Sequence, residues 1–217
     1  MSTRPAVDVL TWLDRHFAVE LPFPRFARNV LLLSLVGLGP VLAVYIARAP
    51  GLGLHLVGSG EAMARFARQV VTNGLPVVFV INALGLILFA QLRARQLSPG
   101  LALAVDIPAR IGVFVGLHLA IYPASALLFG SFGGDPAQAL RVVGPTLAQS
   151  AGFGNLSGVY LYATLVSAVP LHMALVAQAL EMQGLRALTL PVLTLAALGV
   201  FGGQALFLTG LVVLLGG

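Results

Sequence analysis

Apolar residues run through this chain in long, nearly unbroken stretches, and polar positions fall between those stretches or at sparse intervals inside them. A helix crossing a bilayer needs about 20 mostly apolar residues, because the hydrocarbon core is about 30 Å thick and an α-helix rises about 1.5 Å per residue. Five segments meet that requirement, at 29–47, 75–92, 110–130, 157–180 and 187–215. The pattern predicts an all-α integral membrane protein, a bundle of about five transmembrane helices. The last segment is longer than one crossing needs and is expected to tilt or to bend near Gly202 and Gly203.

Amphipathic pieces flank these runs. Arg4, Asp8, Thr11 and Arg15 recur on one side of a helix, while Ala6, Val9, Leu10, Leu13 and Phe17 fill the other. Such a helix either lies on the bilayer with Trp12 near the headgroups or packs on the protein's own bundle. Asp8, Asp14 and Glu20 among the arginines argue against a secretory signal. Leu21-Pro22-Phe23-Pro24 ends the helix, since each proline removes a backbone donor. Residues 1–28 thus form an N-terminal interfacial segment and residues 29–217 a single transmembrane domain. Residues 58–74 predict a second interfacial helix. Ser98-Pro99 opens a third, with Asp106 and Arg110 paired at i, i+4 on the membrane surface before the third span. On that assignment no Asp, Glu or Arg falls in the middle of a span, so a carboxylate-driven pump is not expected.

Composition sharpens the class. Of 217 residues 59% are hydrophobic and 9% charged, with a mean hydropathy of +0.98, whereas soluble domains carry about 25% charged residues. Cysteine is absent, which excludes disulfides, thiolate nucleophiles and Cys-ligated metal centres. All 12 basic residues are arginine, scattered between apolar runs rather than massed in a block, so the pI near 10.7 points to membrane phosphates and not to nucleic acid. Arg4, Arg15, Arg25, Arg28, Arg93, Arg95, Arg110 and Arg186 fall on the side of the N-terminus; Arg48, Arg65, Arg68 and Arg141 fall opposite. That asymmetry predicts a cytoplasmic N-terminus. Arginine without lysine and abundant Ala, Leu and Gly suggest a bacterial cytoplasmic (inner) membrane.

Within the spans the polar positions are mild: Asn82; His118, Tyr122 and Ser125; Tyr160, Thr164, Ser167 and His172; and Gln204. Those of spans three and four form stripes that predict either a polar seam between helices or the lining of a pathway. Gly112, Gly116 and Ala120, and Gly199 with Gly203, repeat every four residues and predict close helix packing. His118 and His172 are expected at equal depth, an arrangement that would suit two axial ligands of a b-type haem; no other cofactor or metal is expected. Ala151, Gly152, Phe153, Gly154 and Asn155 follow an apolar stretch at 136–149 and suggest a re-entrant loop resembling a glycine-aromatic-glycine ion filter. Ser157-Gly158-Val159-Tyr160 looks like the serine motif of rhomboid proteases, but the only later histidine, His172, lies on the same helix, so catalysis by Ser157 is rejected. No phosphate-binding glycine loop, HExxH or paired-carboxylate arrangement supports an enzyme.

Three strings carry a family likeness: Phe129-Gly130-Ser131-Phe132-Gly133-Gly134, then Ala139-Leu140-Arg141-Val142-Val143-Gly144-Pro145, then Ala179-Leu180-Glu181-Met182-Gln183-Gly184-Leu185-Arg186-Ala187-Leu188. From about residue 110 to 200 the layout resembles the bacterial branch of the Yip1-type membrane proteins. The resemblance implies a non-enzymatic five-span protein that organises membrane or binds partners. Three functions are therefore expected in turn: packing and partner or lipid binding, as a homo-oligomer or a subunit of a membrane complex; a small oligomeric channel or transporter lined by spans three and four; or a haem electron carrier.

Overall fold

The computed structural model describes residues 5–18 and 20–182, with isolated positions of a further segment between 195 and 213. The described residues form helices and turns with no strand. In chain order the helices are α1 (Pro5–Phe17), α2 (Phe23–Arg48), α3 (Pro50–Gly58), α4 (Gly60–Gln69), α5 (Leu75–Ala94), α6 (Pro99–Phe129), α7 (Pro136–Ala151) and α8 (Leu156–Met182). Their starts are written locally. Ser59, Ser98 and Asp135 accept backbone N–H groups with their side chains at the heads of α4, α6 and α7, and Pro50, Pro99 and Pro136 occupy first-turn positions where no donor is needed. Gly130, at φ +65°, ends α6 in the left-handed conformation that a side chain would strain.

Four helical stretches are long and apolar enough to cross a membrane: Phe23–Arg48, Gly60–Ala94, Pro99–Phe129 and Leu156–Val176. The fifth expected span, 187–215, lies for the most part outside the described residues, as does Gln204. In its most apolar window α8 is 67% buried, against 22–39% for the other three, so α8 is the central helix and α2, α5 and α6 surround it. The core follows from that arrangement. Phe114, Ile81, Val78, Val159, Ala163 and Leu165 meet in one cluster; Phe26, Val30, Leu86, Phe89, Leu171 and Leu175 meet in a second.

Two expected helices prove to be parts of longer ones. Residues 60–69 do not stop at the interface: a π-turn, Val70–Gly74, carries them into α5, giving a continuous stretch of 35 residues. The helix opened by Ser98 likewise has no break before the third span. It continues through Asp106 and Arg110 into one 31-residue helix, and Pro108 between them removes one i→i−4 hydrogen bond without ending it. The surface placement of Asp106 and Arg110 is therefore corrected: they are 0% and 3% exposed.

For α1 the structure decides between the two options. Leu13 and Phe17 are buried against the second core cluster, Asp14 pairs with Arg93 of α5, and the Asn29 amide donates to the His16 carbonyl at 2.7 Å. Trp12 stays 42% exposed. The helix thus packs on its own bundle. Leu13→Ala is expected to cost about 2–5 kcal/mol and to speed proteolysis of the N-terminus. Arg93→Ala, which breaks a half-exposed ion pair, should cost no more than about 1 kcal/mol.

Candidate functional site: a buried ionic centre

Each of the four long helices places one or two polar side chains at the same level of the bundle. Ser34 lies near the middle of α2, Asn82 near the middle of α5, His172 in the middle third of α8, and Asp106 and Arg110 two turns into α6. A single hydrogen-bonded chain joins them. His172 Nε2 donates to Asp106 Oδ2 at 2.7 Å, and Arg110 Nε donates to the same oxygen at 2.7 Å. Arg110 Nη1 donates to Asn82 Oδ1 at 3.2 Å, Asn82 Nδ2 donates to Ser34 Oγ at 3.0 Å, and Ser34 Oγ donates to the Val30 carbonyl at 2.8 Å. All five residues are buried. The other carboxylate oxygen, Asp106 Oδ1, is buried without a hydrogen-bond partner.

Glycine makes room for this centre. A Cβ on Gly85 would stand 2.4 Å from the Arg110 guanidinium carbon, so α5 admits the arginine only because residue 85 has no side chain. Pro108 and Pro170 lie within two residues of the ionic groups, and each removes an i→i−4 hydrogen bond from its helix. The centre is therefore flanked by points where α6 and α8 bend most readily. The apolar layers beside it are the two core clusters, with Ile81, Ile111 and Phe114 in the first and Phe89, Leu171 and Phe17 in the second.

The expected polar seam divides in two. His118, Tyr122, Ser125 and Tyr160 do come together, around a cavity of about 540 Å³ that Ser157 and Thr72, Asn73 and Gln69 of the π-turn region also line. His118 Nδ1 donates to the Phe114 carbonyl at 2.9 Å, which leaves Nε2 of the neutral ring as an acceptor. Phe114, His118, Tyr122 and Phe132 form a ladder of rings with centroids 4.3–5.7 Å apart. Thr164 and Ser167 are elsewhere, buried and bonded to carbonyls of their own helix; Ser167 also reaches the Leu33 carbonyl of α2 at 3.4 Å. Those two are helix-joining groups.

His118 and His172 do not share a level. His172 is held at Asp106, and twelve residues, about 18 Å of helical rise, separate Asp106 from His118 along α6. In this arrangement the two imidazoles do not flank one iron, because axial ligands must approach it from opposite sides at one depth.

Residues 151–155 form the turn between α7 and α8. Asn155 staples it, donating to the Thr146 carbonyl at 3.0 Å and accepting from Gly158 N at 2.9 Å, while the Ala151 carbonyl accepts the Tyr162 hydroxyl at 2.6 Å. Gly112, Gly116 and Ala120 are exposed, and no atom of the described chain lies within 4 Å of a Cβ built on either glycine. Gly199 and Gly203 are likewise exposed and open. The closely packed glycines are others: Gly37 against Ser167, Gly74 under the Tyr160 ring, Gly85 under Arg110 and Gly158 against Ser150.

Comparison with known proteins finds no matching family model, no matching curated protein and no matching solved structure.

Proposed function

We propose that this chain is a small non-enzymatic membrane carrier in which the Asp106–Arg110–His172 centre takes up and releases a proton. The observation that carries the reading is the ionic centre itself, a carboxylate, a guanidinium and an imidazole buried together among four spans. Charges are costly inside a bilayer, and those that occur there mark relays and transport sites far more often than packing. The first expectation, packing and partner binding alone, leaned on spans drawn without Asp, Glu or Arg, whereas Asp106 and Arg110 are buried within α6.

The step is simple. A proton adds to Asp106 Oδ1, the oxygen that has no donor, and the O–H bond so formed cancels the carboxylate charge. Arg110 then loses its counter-charge in a dry site, and the arrangement that holds α6 against α8 loses its main electrostatic tie. Bending at Pro108 and Pro170 opens one apolar layer or the other. The His118–Tyr160 cavity serves as the vestibule at the end of the bundle away from α1. The N-terminus is assigned to the cytoplasm of a bacterial inner membrane, with the exposed amphipathic α4 on the opposite interface.

Proteoliposomes carrying a trapped pH-sensitive dye test this. The wild-type chain is expected to dissipate an imposed pH gradient, while Asp106→Asn and His172→Ala do not; a gradient that decays equally fast through Asp106→Asn overturns the proposal.

A second reading rests on the exposed Gly112–Gly116–Ala120 stripe, which fits a homo-oligomer or a subunit of a larger membrane complex. The likeness of residues 110–200 to the Yip1-type layout points the same way.

A further inference from the structure

An apolar groove of about 540 Å³ runs between α2 and the α7–α8 turn. Val41, Val44, Phe153, Tyr162 and Val166 form its walls, and Arg48 stands at one end. No acidic residue lines it. Arg48 is exposed and makes no ion pair among the described residues; its guanidinium lies over the Phe153 ring, 5.6 Å from the centroid. It is also the last residue of α2, a helix of 26 residues and about 39 Å, so its charge sits at the level of the lipid headgroups while the groove extends toward the acyl region.

The floor of the groove is built rather than incidental. Phe153 adopts φ +58°, a left-handed conformation uncommon for a residue with a Cβ. That turn sets its ring edge-on to Tyr45 and to Tyr162, at 5.6 and 5.2 Å between centroids, and the Tyr162 hydroxyl ties α8 to the Ala151 carbonyl. From Arg48 the groove follows α2 for about 12 Å to Pro40, and exposed Val36 and Leu32 continue the same line at four-residue steps.

We propose that this groove holds one anionic phospholipid, its phosphate on Arg48 and an acyl chain along Val44, Val41 and Val166. Charge complementarity selects the occupant. A guanidinium without a carboxylate partner suits a phosphate diester, and an apolar wall excludes free phosphate as the preferred ligand. A zwitterionic lipid would bring a second cation toward Arg48, so a headgroup of net negative charge binds better.

Native mass spectrometry of the detergent-purified protein, titrated with phosphatidylglycerol or phosphatidylcholine, is the test. One phosphatidylglycerol per chain should be retained in preference to phosphatidylcholine. Arg48→Gln should weaken that retention about tenfold, the scale of one charge-assisted hydrogen bond. Val44→Trp, which fills the groove and leaves Arg48 in place, should weaken it as well. Arg65→Gln, at an exposed arginine already paired with Glu61, should leave it unchanged. Equal retention of the two lipids, wild-type retention by Arg48→Gln, or displacement of the lipid by equimolar inorganic phosphate would each overturn the assignment.

Discussion

Asp106→Leu is expected to be among the most damaging single substitutions in this protein. It leaves the Arg110 guanidinium 3% exposed, bonded to Asn82 but without counter-charge, and it removes the acceptor of His172. Breaking a buried pair in this way costs about 3–5 kcal/mol. The loss is read as a lower midpoint of thermal unfolding in detergent. Asp106→Leu combined with Arg110→Met removes both charges and keeps similar volumes, and should recover most of the stability, since a well-packed apolar pair often matches a buried ion pair. The double variant should still fail to dissipate a pH gradient. That split separates the two roles of the centre. A double variant no more stable than the single one would mean that the cost was never electrostatic, and wild-type flux through it would detach transport from the cluster.

Gly37→Ala should have the next largest effect. The added Cβ would lie 2.0 Å from Ser167 Oγ and 2.6 Å from the Ala163 carbonyl oxygen. The hydroxyl can rotate away, but the carbonyl belongs to the central helix and cannot, so α2 must move off α8. Overpacking of this kind costs about 1–3 kcal/mol. Gly112→Ala and Gly116→Leu, whose added atoms meet open space, should leave the thermal midpoint of the monomer unchanged. Gly116→Leu should instead reduce the mass of the intact complex if the stripe joins copies of the chain. Equal losses of stability at Gly37 and Gly116 would contradict the packing described here.

These glycines show how far the sequence reaches. A four-residue repeat of small residues marks a face on which a helix could approach, and it is silent on whether one does. Gly112 and Gly116 fit the repeat and face outward, whereas Gly37, Gly74 and Gly85 stand in no such repeat and are where α8 and Arg110 come closest. The long helices, the helix start at Ser98 and the His118–Tyr122–Ser125–Tyr160 grouping were legible, because each follows from local pattern or from the facing of two antiparallel neighbours. The ionic centre was not. Asp106 and Arg110 at i, i+4 read identically on a surface and in a core, and what decides the matter is Asn82, 28 residues from Arg110, and His172, 66 residues from Asp106. Hydropathy drew the third span to begin at Arg110, since that window avoids Asp106, whereas the helix itself begins at Pro99.

That register has a consequence for biosynthesis. The part of α6 from residue 110 to 129 is by itself about 20 residues long, enough to cross the hydrocarbon core. The translocon can therefore release α6 with Asp106 and Arg110 still among the headgroups, and avoid the roughly 2.5–3.5 kcal/mol that each charge would cost at the membrane centre. By then α2 and α5 have been made and already offer Ser34 and Asn82, but His172 comes 62 residues after Arg110 and is still inside the ribosome or its exit path. Only when α8 arrives does Asp106 find its second donor. The 31-residue length of α6 thus lets one helix occupy two depths in succession, a shallow one on insertion and the final one once the last of its three partner helices has been synthesised.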